Sequence, residues 1–196
     1  MPGRQAKLLA KHDVRRMLGA VRKGRNPERD RVVVLLSVKA GLRAGEIAAL
    51  TWPMVLDARD ELGAVLELHN RAAKMGSGRR IPIHPQLRSA LAVWRRKTQR
   101  RYGTLSGAVI RSERGGAMRA SSIVNWFAAL FRQLDLKGCS SHSGRRTFVT
   151  KAARMVHRTG GSLRDVQQLA GHRSISMTQQ YIDGDTASQR RLVRLI

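Results

Sequence analysis

NPERDRVVVLLSVKAG, residues 26–41, decides the fold class, because its centre, Val32 to Val38, is the longest apolar run in the chain. Read by composition alone, four β-branched residues in that run favour a strand. The flanks favour a helix. Asn26 is a good N-cap, Pro27 fits the first helical position, Glu28 sits in the first turn where the dipole favours acid, and Gly41 is a stop. The stretch therefore predicts a buried helix, and its neighbours follow suit. Leu87, Leu91 and Trp94 give residues 86–101 a helical pattern, and Ile123, Phe127, Leu130, Phe131 and Leu134 mark another amphipathic helix. Ser162 and Asp165 have capping-box spacing, with Gly171 closing that helix; Ser174 then caps a short helix carrying Tyr181. Residues 64–70 (AVLELHN) and 79–84 (RRIPIH) read as two strands of a hairpin joined through AAKMGSG, and a second hairpin is expected over 109–118, turning at Gly115-Gly116. The sum is an α+β, mainly α domain with a small antiparallel sheet in its first half.

At 196 residues the chain can bury one sizeable core. Lysine and arginine total 38 against 13 acids, a formal charge of +25. A globular chain so basic is expected to meet a polyanion, most often nucleic acid. The cations are spread along the sequence, which favours a basic folded surface over a basic arm. Aromatic residues make up 4%, too few for a stacking platform for single strands, so duplex backbone is the expected ligand. Cys139 is the single cysteine, which excludes an internal disulfide and a cysteine-built zinc site and fits a reducing cytoplasm. The run 32–38 is far too short for a bilayer, and the charged N-terminus lacks a signal-peptide core, so no membrane partner is expected.

Six side chains and one supporting acid stand out. Arg43 precedes Glu46 by three, so on a helix the carboxylate can hold the guanidinium. His142 and Arg145 have the same spacing and could both face one phosphate. Lys74 lies on the Gly-rich hairpin loop, His172 just past a helix end, and Tyr181 nine residues later. Each has an ordinary explanation: a surface ion pair, a solvated basic face, a solvated lysine, a histidine against a helix dipole, a half-buried tyrosine. Jointly they match what metal-free cleavage of a phosphodiester by a protein hydroxyl needs. Cations clamp the dianionic transition state, an acid protonates the leaving oxygen, and a tyrosine attacks. A Cys139–His142 nucleophile is rejected, because no third group orients the pair and small buried hydrophobe is the commoner role of cysteine.

The ordered set resembles the catalytic domain of the tyrosine recombinases, the phage integrase family. GLRAGEIAALTW is similar to its first arginine box, AKMGSGRRIPIH to its β-hairpin lysine box, HSGRRTFVTKAA to its His-x-x-Arg box and LAGHRSISMTQQYID to its nucleophile box. The resemblance runs from about residue 8 to about 185. Within the His-x-x-Arg box it departs at two places: Gly144 stands where leucine commonly precedes the box arginine, and Arg146 replaces a frequent histidine. A larger departure is at the N-terminus, where most members carry a separate helical core-binding domain. It implies the tyrosine-recombinase catalytic-domain fold over 1–185, with Tyr181 as nucleophile, Arg43, Lys74, His142, Arg145 and His172 catalytic, and Glu46 supporting. It implies a 3′-phosphotyrosyl intermediate, and neither metal nor cofactor. Double-stranded DNA is the implied partner, with a homo-tetramer on paired sites; whether an accessory protein bends the DNA stays open. Residues 186–196, with Leu192, Leu195 and Ile196 at helical spacing, are expected to form a helical tail that docks in trans or back on its own domain, and no separate N-terminal core-binding domain is expected. In extent the chain is similar to the short fimbrial-switch invertases or to the catalytic fragment of a longer integrase. Two other functions stay open: relaxation of supercoils in the manner of a type IB topoisomerase, and non-catalytic DNA binding.

Overall fold

The computed structural model describes residues 6–73, 76–181, 190, 193 and 194. The chain divides into two compact units, 1–148 and 149–196.

The first unit is built around the opening stretch. Helix α1 spans Lys11–Arg22 and α2 Pro27–Lys39, with Asn26 as N-cap and Pro27 in the first turn. Helix α2 is apolar on nearly all sides, with Val32, Val33, Val34, Leu35 and Leu36 at most 1% exposed. A helix without a polar face must be covered all round, and α1 and α4 (Pro85–Tyr102) pack on it. Short α3 (Ala44–Ala49) packs on α5 (Ala120–Gln133), whose Phe127 and Phe131 stack in the core. Gly41 ends α2 as expected, at φ +65°, and it is also a contact point: a Cβ there would lie 2.4 Å from the Phe148 ring.

Strands β1 (Val65–Leu68) and β2 (Arg79–Pro82) pair antiparallel, with Leu66 opposite Ile81, Glu67 opposite Arg80 and Leu68 opposite Arg79. Side chains alternate across a sheet, so Leu66, Leu68 and Ile81 share the buried face with Arg79, while Arg80 and Glu67 pair outside at 3.1 Å. Asn70 braces the loop, its Oδ1 accepting from the Gly78 N–H at 3.0 Å. The second hairpin is reduced to a tight turn. One bridge joins Arg111 to Ala117, and the Ser112 and Met118 N–H groups donate to the Gly116 and Ile110 carbonyls. Ile110 and Val109 are buried and Trp94 Nε1 bonds the Val109 carbonyl at 2.7 Å, so core packing fixes this segment without a regular ladder.

Helix α6 spans Ser143–Met155. Gly144, the first departure from the family pattern, lies where α6 crosses α2: an added Cβ would sit 2.1 Å from Ser37 Oγ and 2.9 Å from its Cβ. The leucine common at this place does not fit here. Gly144→Ala is expected to cost about 1–3 kcal/mol, the usual range for overpacking, and Gly144→Leu more. Thermal unfolding of the two variants checks this, and an unchanged midpoint in the leucine variant contradicts it. Arg146, the second departure, donates from Nη1 to the Ala6 carbonyl, a use for a long side chain that histidine does not reach.

The second unit holds the end of α6, a 3₁₀ turn at Val156–Thr159, α7 (Leu163–Ala170) and α8 (Ile175–Gln179). Ser162 and Asp165 form the expected capping box of α7. Ser174 occupies the N-cap of α8 without capping it, since its hydroxyl meets that of Ser176 at 2.8 Å. Tyr181 lies in the turn just after α8. Among the described residues no helix is long and apolar enough to cross a membrane.

Candidate active site

In the first unit, Glu46 organises the site. It is the third residue of α3 and Arg43 is the N-cap, so its Oε2 accepts the Arg43 backbone N–H at 2.9 Å as in a capping box. The same carboxylate takes the Arg43 side chain, Nη1 to Oε1 at 2.8 Å. The expected i, i+3 pair thus forms from outside the helix rather than along its face. A second guanidinium completes it: Arg79 Nη2 and Nη1 reach Oε2 and Oε1 at 2.9 and 3.0 Å. Burial pushes the Glu46 carboxyl up, but the hydrogen bonds and charge of Arg79, then those of Arg43, outweigh it. They hold the group below the ordinary carboxylate value, so it is ionised at neutral pH.

Sequence reading misses Arg79, although the strand carries the signal. Ile81 must face the core, so the period of two sends Arg79 inward and Arg80 outward. An inward arginine needs an acid, and Glu46 is that acid.

Arg145, in the first turn of α6, is buried at 3% exposure and donates from Nη1 to the Gly41 carbonyl at 2.9 Å. Gly41 is two residues from Arg43, so one turn of backbone carries the first arginine and receives the second. His142 is exposed and stands at the edge of α6, its carbonyl accepting from the Arg146 N–H at 2.9 Å. It therefore precedes the helix rather than sharing a helical face with Arg145. Lys74 lies outside the described residues, as do Leu192, Leu195 and Ile196 of the expected tail. Burial raises the thiol of half-buried Cys139 above its ordinary value, against a hydrogen bond with Ser143, which leaves it a poor nucleophile.

In the second unit the structure brings His172 and Tyr181 together. The rings stack with centroids 5.4 Å apart and planes inclined by 22°. His172 is 7% exposed; its Nδ1 is 2.9 Å from Thr178 Oγ1, and its carbonyl accepts from Gln167 Nε2 at 3.0 Å. The bond from Nδ1 to α8 fixes the orientation of the ring. Thr178 and Gln167, both buried, are support residues that no sequence pattern announces.

Comparison with known proteins gives the family and the fold. The sequence profile of the phage integrase family matches residues 7–188. Tyrosine recombinase XerC of Mesorhizobium japonicum is 32% identical over 160 residues, covering 81% of this chain and 48% of that protein. Tyrosine recombinase XerC of Xanthomonas campestris pv. campestris strain B100 is 32% identical over 154 residues, 78% of this chain and 44% of that one. The chain spans about half the length of the curated relatives it matches. Among solved structures the fold is similar to XerA recombinase, with a TM-score of 0.72 and 20% identity over 99% of this chain and 66% of that one. It is also similar to XerH site-specific recombinase bound to difH substrate, at 0.71 and 17% over 95% and 53%.

Proposed function

Because the chain belongs to the phage integrase family, we propose that it is a metal-independent site-specific recombinase, cleaving and rejoining duplex DNA through Tyr181. The observation that carries the reading is the stacked His172–Tyr181 pair, an attacking hydroxyl beside an imidazole whose Nδ1 is held by Thr178. The Tyr181 hydroxyl attacks the scissile phosphorus, the bond to the 5′ oxygen breaks, and a 3′-phosphotyrosyl link and a 5′-hydroxyl result. A 5′-hydroxyl from a partner strand reverses the step. The phosphodiester's energy is retained in the link, so rejoining needs no nucleotide cofactor.

A phenol with pKa near 10 is about one part in a thousand ionised at neutral pH, a deficit of about 4 kcal/mol. Arg43 and Arg145 offset it by binding the non-bridging oxygens as charge grows, each contributing about 3–4 kcal/mol by analogy with other oxyanion donors. The planar fork of arginine matches two oxygens where lysine offers a point charge. His172 donates to a phosphate oxygen, His142 takes the tyrosine proton, and Lys74 protonates the departing 5′ oxygen. In this reading residues 1–185 are the catalytic domain, and 186–196 dock on a neighbouring protomer to assemble a homo-tetramer on paired sites. The setting is the cytoplasm.

Covalent capture tests the proposal. The protein is incubated with a randomised pool of nicked duplexes, denatured in detergent, and the attached DNA is sequenced. An adduct enriched in one duplex sequence is expected; none at all, or one abolished by EDTA, sinks the reading. Two plasmids carrying the recovered duplex are then expected to exchange strands. Relaxation without exchange assigns the chain to topoisomerase-like chemistry instead.

Lys74→Ala is expected to slow cleavage by about a hundredfold, the scale of a lost general acid. A duplex with sulfur at the 5′ bridging position should restore the rate, since a thiolate departs without a proton. A slow variant that sulfur does not rescue takes Lys74 out of the acid role.

A further inference from the structure

We infer that Arg79 is a positioning residue for Arg43, acting through Glu46; the inference rests on the recombinase reading above. The two arginines share one carboxylate but not one environment. The Glu46 side chain is 1% exposed and that of Arg79 4%, whereas that of Arg43 is 22% exposed. Arg79 directs both Nη1 and Nη2 at Glu46. Arg43 bonds the same carboxylate through its backbone N–H and through Nη1.

Among the described residues four hydrogen bonds therefore converge on two oxygens, about the full acceptor capacity of a carboxylate. Rotation of the carboxylate would break the fork with Arg79 and the cap on Arg43 together, so the plane of Glu46 is fixed, and with it the direction from which Arg43 Nη1 is held. Arg79 sits on β2 and Glu46 on α3, so the carboxylate is also tied to the sheet rather than to its own short helix alone. Without Arg79, the side-chain hydrogen bonds left to Glu46 among the described residues are those from Arg43 itself. The arginine then holds the carboxylate instead of being held by it, and misplacement of a charged donor by about 1 Å can cost about a hundredfold in rate.

The test is a pair of variants in two backgrounds, using the duplex recovered by covalent capture. Arg79→Met is expected to slow single-turnover cleavage by about tenfold to a hundredfold. In an Arg43→Ala background the same change should slow it by less than about twofold, because no side chain is left to position. A merely structural Arg79 slows both backgrounds alike, and that result overturns the inference, as does an Arg79→Met rate equal to the parent's. Arg79→Lys, which keeps the charge but not the fork, carries the same test if the methionine variant does not fold: slowing only where Arg43 is present is expected, and equal slowing in both overturns it.

A cleavage-independent readout separates failure of this inference from failure of the recombinase reading. The Arg43 backbone N–H, bonded to Glu46, should exchange with solvent faster in Arg79→Met or Arg79→Lys relative to the amides of α2, measured by NMR. If the parent protein forms no adduct, the recombinase reading falls while this readout still judges the link from Arg79 to Arg43. Unchanged relative exchange overturns the link.

Discussion

Tyr181→Phe is expected to form no detergent-resistant adduct with the captured duplex while binding it as tightly as the parent protein. One atom is removed, the one that attacks phosphorus in the proposed mechanism. The rest of the local structure does not depend on it: the phenylalanine ring still stacks on His172, and the residue 181 backbone N–H still donates to the Thr178 carbonyl, at 3.1 Å in the parent. In the proposed reading, binding rests on cations spread over the chain and not on one hydroxyl. Denaturing electrophoresis after incubation with labelled duplex is the direct measurement, and gel shift gives the affinity. An adduct that persists in the phenylalanine variant removes Tyr181 from the nucleophile role, and loss of binding shows that the hydroxyl holds the duplex as well as attacking it.

The second large effect is expected at the arginines, and the structure separates the two. Arg43→Ala and Arg145→Ala should each slow cleavage by about a hundredfold to a thousandfold, the scale for loss of one preorganised donor to a developing oxyanion. Stability should differ. Removing the Arg145 guanidinium takes a buried donor from the Gly41 carbonyl, and an unsatisfied buried acceptor costs about 1–3 kcal/mol. Removing the Arg43 side chain leaves Glu46 its fork with Arg79 and the Arg43 backbone N–H. Thermal unfolding should therefore shift more for Arg145→Ala than for Arg43→Ala, with both rates low. Folded variants that cleave within about tenfold of the parent would place these arginines in binding rather than in the transition state.

Much of the fold is legible in the amino-acid sequence. The end signals at Asn26-Pro27-Glu28 and Gly41 outweigh the strand propensity of Val32 to Val34, correctly, because a cap fixes specific backbone groups whereas propensity is a weak prior. The hairpin 64–84 and the capping box at Ser162 are local patterns and can be read locally. What escapes is set by partners far away in sequence. Arg79 finds Glu46 across 33 residues, Gly144 is dictated by Ser37, and the turn at 109–118 is held by core contacts, so its hairpin signal overstates the ladder. Thr178 is invisible for another reason: its use depends on α8 bringing its hydroxyl to the His172 ring, and nothing in a single threonine announces that. The resemblance supplies the site residues in order, but it has no account of Gly144, which the contact with Ser37 gives.

Gly41 has a consequence in genetic terms. Its carbonyl receives Arg145, Phe148 lies against its Cα, and its backbone takes a left-handed turn two residues before Arg43. Every missense change at that codon introduces a Cβ into a gap of 2.4 Å. Selection on strand exchange should therefore leave no tolerated substitution at position 41, whereas Gly45, four codons downstream with nothing within 4 Å of its own Cβ position, is free to vary. The two glycines of GLRAGE look alike on paper, but only the first is fixed; the second is the one through which the lineage can drift.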